Sequence, residues 1–103
     1  MTLADAATAR DQLRDLATRG FTSAWLAGQI GADRHLLTRI RSGEQKRSSA
    51  YVITRIHRLY RSLHDTTADQ HGIAPGPVAR TQLIAGRGGW TAIPQPADEP
   101  ATH

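Results

Sequence analysis

Residues 21–44 read FTSAWLAGQIGADRHLLTRIRSGE, and the positions of Gly31 and Asp33 within that run decide how the chain folds. Ahead of them, Thr22 or Ser23 can cap free amide groups while Phe21 staples against Leu26, which predicts a helix from about Ser23 to Ile30. Gly31 interrupts the apolar spacing, Asp33 is a good N-cap, and a second helix is expected through Ser42 with a stop at Gly43. In that second helix Leu37 and Ile40 lie three apart and point inward, whereas Arg34, His35, Thr38, Arg39 and Arg41 lie largely on the other faces. Ala27 is small where the two helices must approach. Leu26, Ile30, Leu37 and Ile40 fill the angle between them. Two short helices joined by a Gly-containing turn, the second cationic on its outer side, form the pattern of a helix-turn-helix. An ordinary helix pair would share the apolar spacing, but it would not require the outside of the second helix to lack an apolar face.

Working outward, Leu3 to Thr18 repeats Leu3, Ala6, Ala9, Leu13, Leu16 and Ala17 at helical spacing, and Gly20 ends that helix. Residues 43–48 are a polar loop. Ser48 or Ser49 then caps a helix reaching about His64, with a stripe of Val52, Ile56, Leu59, Tyr60 and Leu63. Residues 65–77 read as a linker, and Pro77 suits the first turn of a short helix that ends at Gly88-Gly89, with Val78, Leu83 and Ile84 as its apolar positions. Trp90 follows, and from Pro94 the chain has no means of burying itself. No strand-like alternation of useful length occurs. The expected fold is all-α, with a four- to five-helix domain over 1–64, a linker plus short C-terminal helix over 65–93, and a disordered tail over 94–103.

A chain of 103 residues has material for one modest core. With aromatics at 5%, that core must be Leu, Ile, Val and Ala around Phe21, Trp25, Tyr51, Tyr60 and Trp90. The absence of cysteine excludes disulfides, thiolate nucleophiles and cysteine-based zinc sites, and fits a reducing compartment. Charged residues interrupt the first fifteen positions and no 18-residue apolar stretch occurs, so the expectation is a soluble cytoplasmic protein, at the bacterial nucleoid or in a phage-infected host, with no membrane partner.

Net charge is +4, but residues 21–64 alone carry eight Arg or Lys against Asp33 and Glu44. A basic block between neutral and mildly acidic flanks is the footprint of a surface that tracks phosphates. Signs of an enzyme are lacking. His57, His64 and His71 are seven apart, which on a helix is ~10 Å along the axis and too far for one metal. Gly86-Arg87-Gly88-Gly89 lacks the strand and spacing of a phosphate-binding loop. Arg55, Arg58 and Arg61 read as a solvated face first and as phosphate contacts second. No metal and no cofactor is expected.

The run from Leu26 to Glu44, with its Leu-Ala, turn Gly, two inward apolar positions and closing Gly, resembles the lambda-repressor-like, or Cro-type, helix-turn-helix family over about residues 3–64. The end of the chain, Gly89-Trp90 followed by Pro94 to Glu99, is similar to small actinobacterial and actinophage helix-turn-helix proteins. The resemblance implies an operator-binding fold. Arg34, His35, Thr38 and Arg39 would then face bases, an Arg there donating two hydrogen bonds to guanine. Ser23, Arg41, Gln45, Lys46, Arg47 and Ser48 would hold phosphates and fix register, with Ser49 as a further hydroxyl. Two positions depart from the pattern. Gly28 lies inside a helix, and Leu36 stands where a polar base reader is common, either as core or against a thymine methyl group.

These readings imply a sequence-specific regulator of double-stranded DNA, a repressor of the phage or prophage kind, as a monomer or a homodimer. Two alternatives stand beside it: an antitoxin-like autoregulator whose residues 66–103 bind a protein partner, and an architectural or recombination accessory protein.

Overall fold

The computed structural model describes residues 2–94 and is predominantly helical. The order is β1 (Leu3–Asp5), α1 (Ala7–Thr18), α2 (Ser23–Ile30), α3 (Arg34–Ser42), β2 (Arg47–Ser49), α4 (Ala50–Leu63), a 3-10 turn (Ala68–His71) and α5 (Pro75–Gly88). α1 is central and packs against α3, α4 and α5, while α2 leans on α3 and α4.

The local signals between residues 20 and 50 act as their chemistry requires. Thr22 Oγ1 accepts from the Trp25 amide at 3.1 Å, Asp33 Oδ1 from the His35 amide at 2.9 Å, and Ser49 Oγ from the Val52 amide at 3.2 Å. Each satisfies an amide that a helix start leaves without an intrahelical partner. Gly31, at φ +68, takes the left-handed conformation that closes α2 and allows a three-residue turn into α3. Leu26, Ala27, Ile30, Leu37 and Ile40 are buried with Leu13, Leu16, Phe21 and Ile56 in one core.

The first residues depart from the expected helix. Leu3–Asp5 is a short strand pairing antiparallel with β2, in the register Leu3 with Ser49, Ala4 with Ser48 and Asp5 with Arg47. Leu3 is correspondingly exposed, and α1 starts only at Ala7, whose amide is taken by Asp5 Oδ1 at 2.7 Å. The reason is backbone pairing across more than forty residues, which no local periodicity announces. The fully polar loop expected over 43–48 therefore ends at Glu44 to Lys46, and Arg47 and Ser48 belong to a ladder.

Residues 65–77, expected as a linker, and the helix after them are docked on the preceding helices. The Ala68 amide donates to the Arg19 carbonyl at 3.0 Å, His71 packs on Phe21 and Trp25, and Gln82 Nε2 donates to the Thr18 carbonyl at 3.3 Å. Gly20 is the point of closest approach: a Cβ there would lie 2.6 Å from Val78 Cγ1. α5 begins at Pro75, two residues ahead of the expected Pro77. It buries Thr81 and Ala85, packs Val78 on the core and leaves Leu83 and Ile84 exposed. Among the large aromatics, Phe21 and Tyr60 are core, Trp25 is half-buried, and Tyr51 lies outside the core at 68% exposure. The expected disordered tail lies outside the described residues except for Pro94.

One buried acid organises the interior. Asp15 is fully buried, and it accepts from Arg19 Nε at 2.9 Å, from the Tyr60 hydroxyl and from the Ile93 amide at 3.1 Å. A carboxylate so placed is tolerated because its oxygens are satisfied. It thereby joins α1, α4 and the segment after α5.

Candidate nucleic-acid interface

α3 has a sharp division of faces. Leu37 and Ile40 are wholly buried, whereas Arg34, His35, Thr38 and Ser42 are exposed and Leu36 and Arg39 lie at the margin. Of the two readings of Leu36, its half-buried packing against the core agrees with the first. The C-termini of α2 and α3 are each tied by an arginine from another helix. Arg14 of α1 donates from Nε to the Arg41 carbonyl at 2.8 Å and from Nη2 to the Ser42 carbonyl at 3.2 Å. Arg55 of α4 donates from Nε to the Ile30 carbonyl at 3.0 Å. Each places a cation at a helix C-terminus, where unsatisfied carbonyls carry the negative end of the dipole. Arg55 is thus a brace, with its guanidinium also over the Tyr51 ring, while Arg58 and Arg61 are the exposed members of that run.

The loop after α3 is shaped by a relay. The Gln45 amide donates to the Arg39 carbonyl, Arg39 Nε donates to Gln45 Oε1 at 3.1 Å, and Gln45 Nε2 donates to the Arg47 carbonyl at 3.0 Å. Gln45 therefore spends both ends of its side-chain amide inside the protein, and Arg39 shares its guanidinium with it. Lys46 and Arg47 stand exposed beyond them. A cleft lined by Asp5, Arg10, Gly43, Gln45 and Lys46 separates this loop from the start of α1.

The predicted residues thus divide into three groups. Arg34, His35 and Thr38 share one exposed face at the start of α3, with Lys46 and Arg47 exposed on the adjoining loop and Ser23 half-buried in the first turn of α2. Arg39 and Gln45 brace each other. Ser48 and Arg41 do not belong to the exposed surface: Ser48 is 5% exposed, within β2, and Arg41 is 7% exposed. Ser49 is likewise occupied as the cap of α4.

Arg41 is covered by Trp90, whose ring centroid lies 5.4 Å from the Arg41 guanidinium carbon and 5.1 Å from that of Arg14. Arg41 Nε and Nη1 are buried with no hydrogen-bond partner among the described residues, and desolvation pulls its pKa down from the ordinary arginine value. The indole folds back so closely that a Cβ on Gly88 would meet its Nε1 at 2.6 Å. Sequence reasoning missed this cover, together with Asp15 and the two bracing arginines. Helical period puts Asp15 on the side of α1 away from the stripe of Leu13, Leu16 and Ala17, so no local signal marked it as buried.

Only Arg10–Asp11 and Arg19–Asp15 form ion pairs among the described residues, so none of the eight cations between positions 21 and 64 is neutralised by a carboxylate there. The histidines go separate ways: His57 meets Gln12 at 2.6 Å, His64 lies on Tyr60, and His71 lies on Phe21 and Trp25. No metal-holding group of three or more His, Cys, Asp or Glu occurs among the described residues, and no helix there is long and apolar enough to cross a membrane.

Compared with known proteins, the chain matches no family model, no curated protein and no solved structure. Its function is therefore read from the chemistry of its own surface.

Proposed function

We propose that the protein is a sequence-specific DNA-binding regulator of the lambda-repressor-like helix-turn-helix kind, with α3 entering the major groove. One observation carries this reading: Arg34, His35 and Thr38 are exposed together at the N-terminal end of a helix whose opposite face, Leu37 and Ile40, is locked in the core. A helix presented in this way offers donors to base edges without losing its footing, and Arg34 suits the O6 and N7 acceptors of guanine. Lys46 and Arg47, on the loop that follows, are placed to hold phosphate and set register. Arg39 serves the site by shaping that loop through Gln45 as well as by any base contact of its own. A repressor would act by occupying its operator and excluding polymerase.

Selection of bound duplexes from a random DNA library tests this reading. An enriched motif containing guanine opposite Arg34 is expected, and failure to enrich any sequence would overturn it in favour of an accessory protein with little preference. A second reading has its own observation. Leu83 and Ile84 are exposed side by side on α5, a face suited to a second copy on an inverted half-site or to a protein partner. An enriched palindrome, with sedimentation of the complex, distinguishes the dimer.

A further inference from the structure

Arg34, Thr38 and Arg41 follow one another at i, i+4 and i+7, which puts them on a single stripe of α3. Arg34 and Thr38 meet solvent. Arg41, the third member, lies under Trp90 with two guanidinium nitrogens buried and unpaired. As a packing solution this is poor, because a buried charge with no counterion among the described residues is penalised more than a ring face returns, and an apolar side chain of similar length would fill the same space.

The cover is anchored at its far end, where Ile93 packs on the core, and is open along Thr91 and Ala92. Residues 89–94 leave α5 with the Trp90 amide on the Ala85 carbonyl at 2.9 Å, lay the indole over Arg14 and Arg41, and reach Asp15 through the Ile93 amide. Thr91, Ala92 and Pro94 are exposed, and an open cleft lined by Asp11, Arg14 and Trp90 runs beneath the segment. Arg14 does not depend on the cover, since it bonds to the carbonyls of Arg41 and Ser42.

We propose that the Trp90 indole, carried on Gly89–Ala92 with Ile93 remaining anchored, is a flap over a reserve phosphate-binding residue, Arg41, and that it swings aside when a nucleic-acid phosphate reaches the C-terminal end of α3. The inference rests on the reading of α3 as a DNA-contacting helix. In the closed form Trp90 shortens the cationic stripe. In the open form Arg41 exchanges an aromatic face for a charge-assisted hydrogen bond to a phosphodiester oxygen, and its Nε and Nη1 are no longer buried without partners. The unfavourable burial thus poises the flap to open.

The test uses the full chain and a short mixed-sequence DNA duplex. Trp90→Ala should bind more tightly at low salt, and its affinity should fall by a further factor of about 3 between roughly 50 and 200 mM salt, as one added phosphate contact requires. Adding Arg41→Gln to Trp90→Ala should restore the original salt dependence, while Trp90→Phe, which keeps an aromatic cover, should behave like the parent. An unchanged salt dependence in Trp90→Ala, or an increase that survives loss of Arg41, would overturn the flap. Should Trp90→Ala fail to fold, Trp25→Phe leaves Trp90 as the single indole, and its emission should shift to the red when duplex is added; an unmoved spectrum in a bound complex refutes opening. If no variant binds duplex, the DNA-binding reading itself falls. Arginine modification by phenylglyoxal then still decides the cover, because Arg41 should be protected in the parent and labelled in folded Trp90→Ala, and equal labelling in both would refute it.

Discussion

Arg34 and Arg41 stand at opposite ends of one stripe of one helix, carry the same side chain, and have opposite surroundings. Arg34 follows the Asp33 cap at the entrance of α3 and projects into solvent, while Arg41 lies in the last turn beneath an indole supplied from nearly fifty residues away. The side-chain type and the helical period are shared, so neither explains the difference. What separates them is which neighbouring element passes overhead: among the described residues the start of α3 is left exposed, whereas Arg14 of α1 and Trp90 after α5 meet its end. A cationic helix face is therefore a property of the helix and of whatever is folded against it.

The comparison can be broken most forcefully by removing what holds both ends in place. Leu37→Ala should destabilise the fold by about 2–5 kcal/mol, read by urea unfolding, since a wholly buried leucine in the angle between α2 and α3 leaves a cavity. It should erase DNA binding at either end. Next in size, Arg41→Met should be neutral or stabilising by about 1–4 kcal/mol in the same assay, because it removes a buried charge whose Nε and Nη1 lack partners and keeps the stem that packs under Trp90. A loss of stability would mean that Arg41 is satisfied in its burial, and the contrast with Arg34 would lose its meaning. At the other end, Arg34→Ala should reduce discrimination among sites by about 1–3 kcal/mol with little effect on stability, whereas Lys46→Ala should weaken all duplexes alike and flatten the salt dependence. Equal losses on every sequence from both variants would refute the division between base and phosphate contacts. Smallest, Asp33→Ala should cost about 1 kcal/mol of thermal or urea stability by leaving the His35 amide uncapped, and should fray only the Arg34 end of the helix.

Much of the fold was legible because its signals are local. Thr22, Gly31, Asp33, Gly43 and Ser49 each act within three or four residues of their own position, and the limits of α2 and α3 follow from them. The strand at Leu3–Asp5 was not legible, since its partner lies at Arg47–Ser49 and three residues carry no usable period. α5 misled for a related reason. Leu83 and Ile84 are its larger apolar side chains, yet the face against α1 takes Thr81 and Ala85, and the apolar pair remains exposed. Of the candidate site, Arg34, His35, Thr38, Lys46 and Arg47 could be placed on the surface from helical period and loop chemistry, while the burial of Ser48 and Arg41 and the Arg39–Gln45 brace could not.

The amino-acid sequence alone determined the cationic block between residues 21 and 64, the two capped helices within it, and the inward pair Leu37 and Ile40, because charge, capping and period are written residue by residue. Tertiary structure alone decided that Asp15 is an interior anchor, that Arg14 and Arg55 brace the ends of α3 and α2, and that Trp90 covers Arg41. Each of these is a meeting of residues distant in sequence, and its energetics depend on water being excluded at one particular place, which only the packed chain defines.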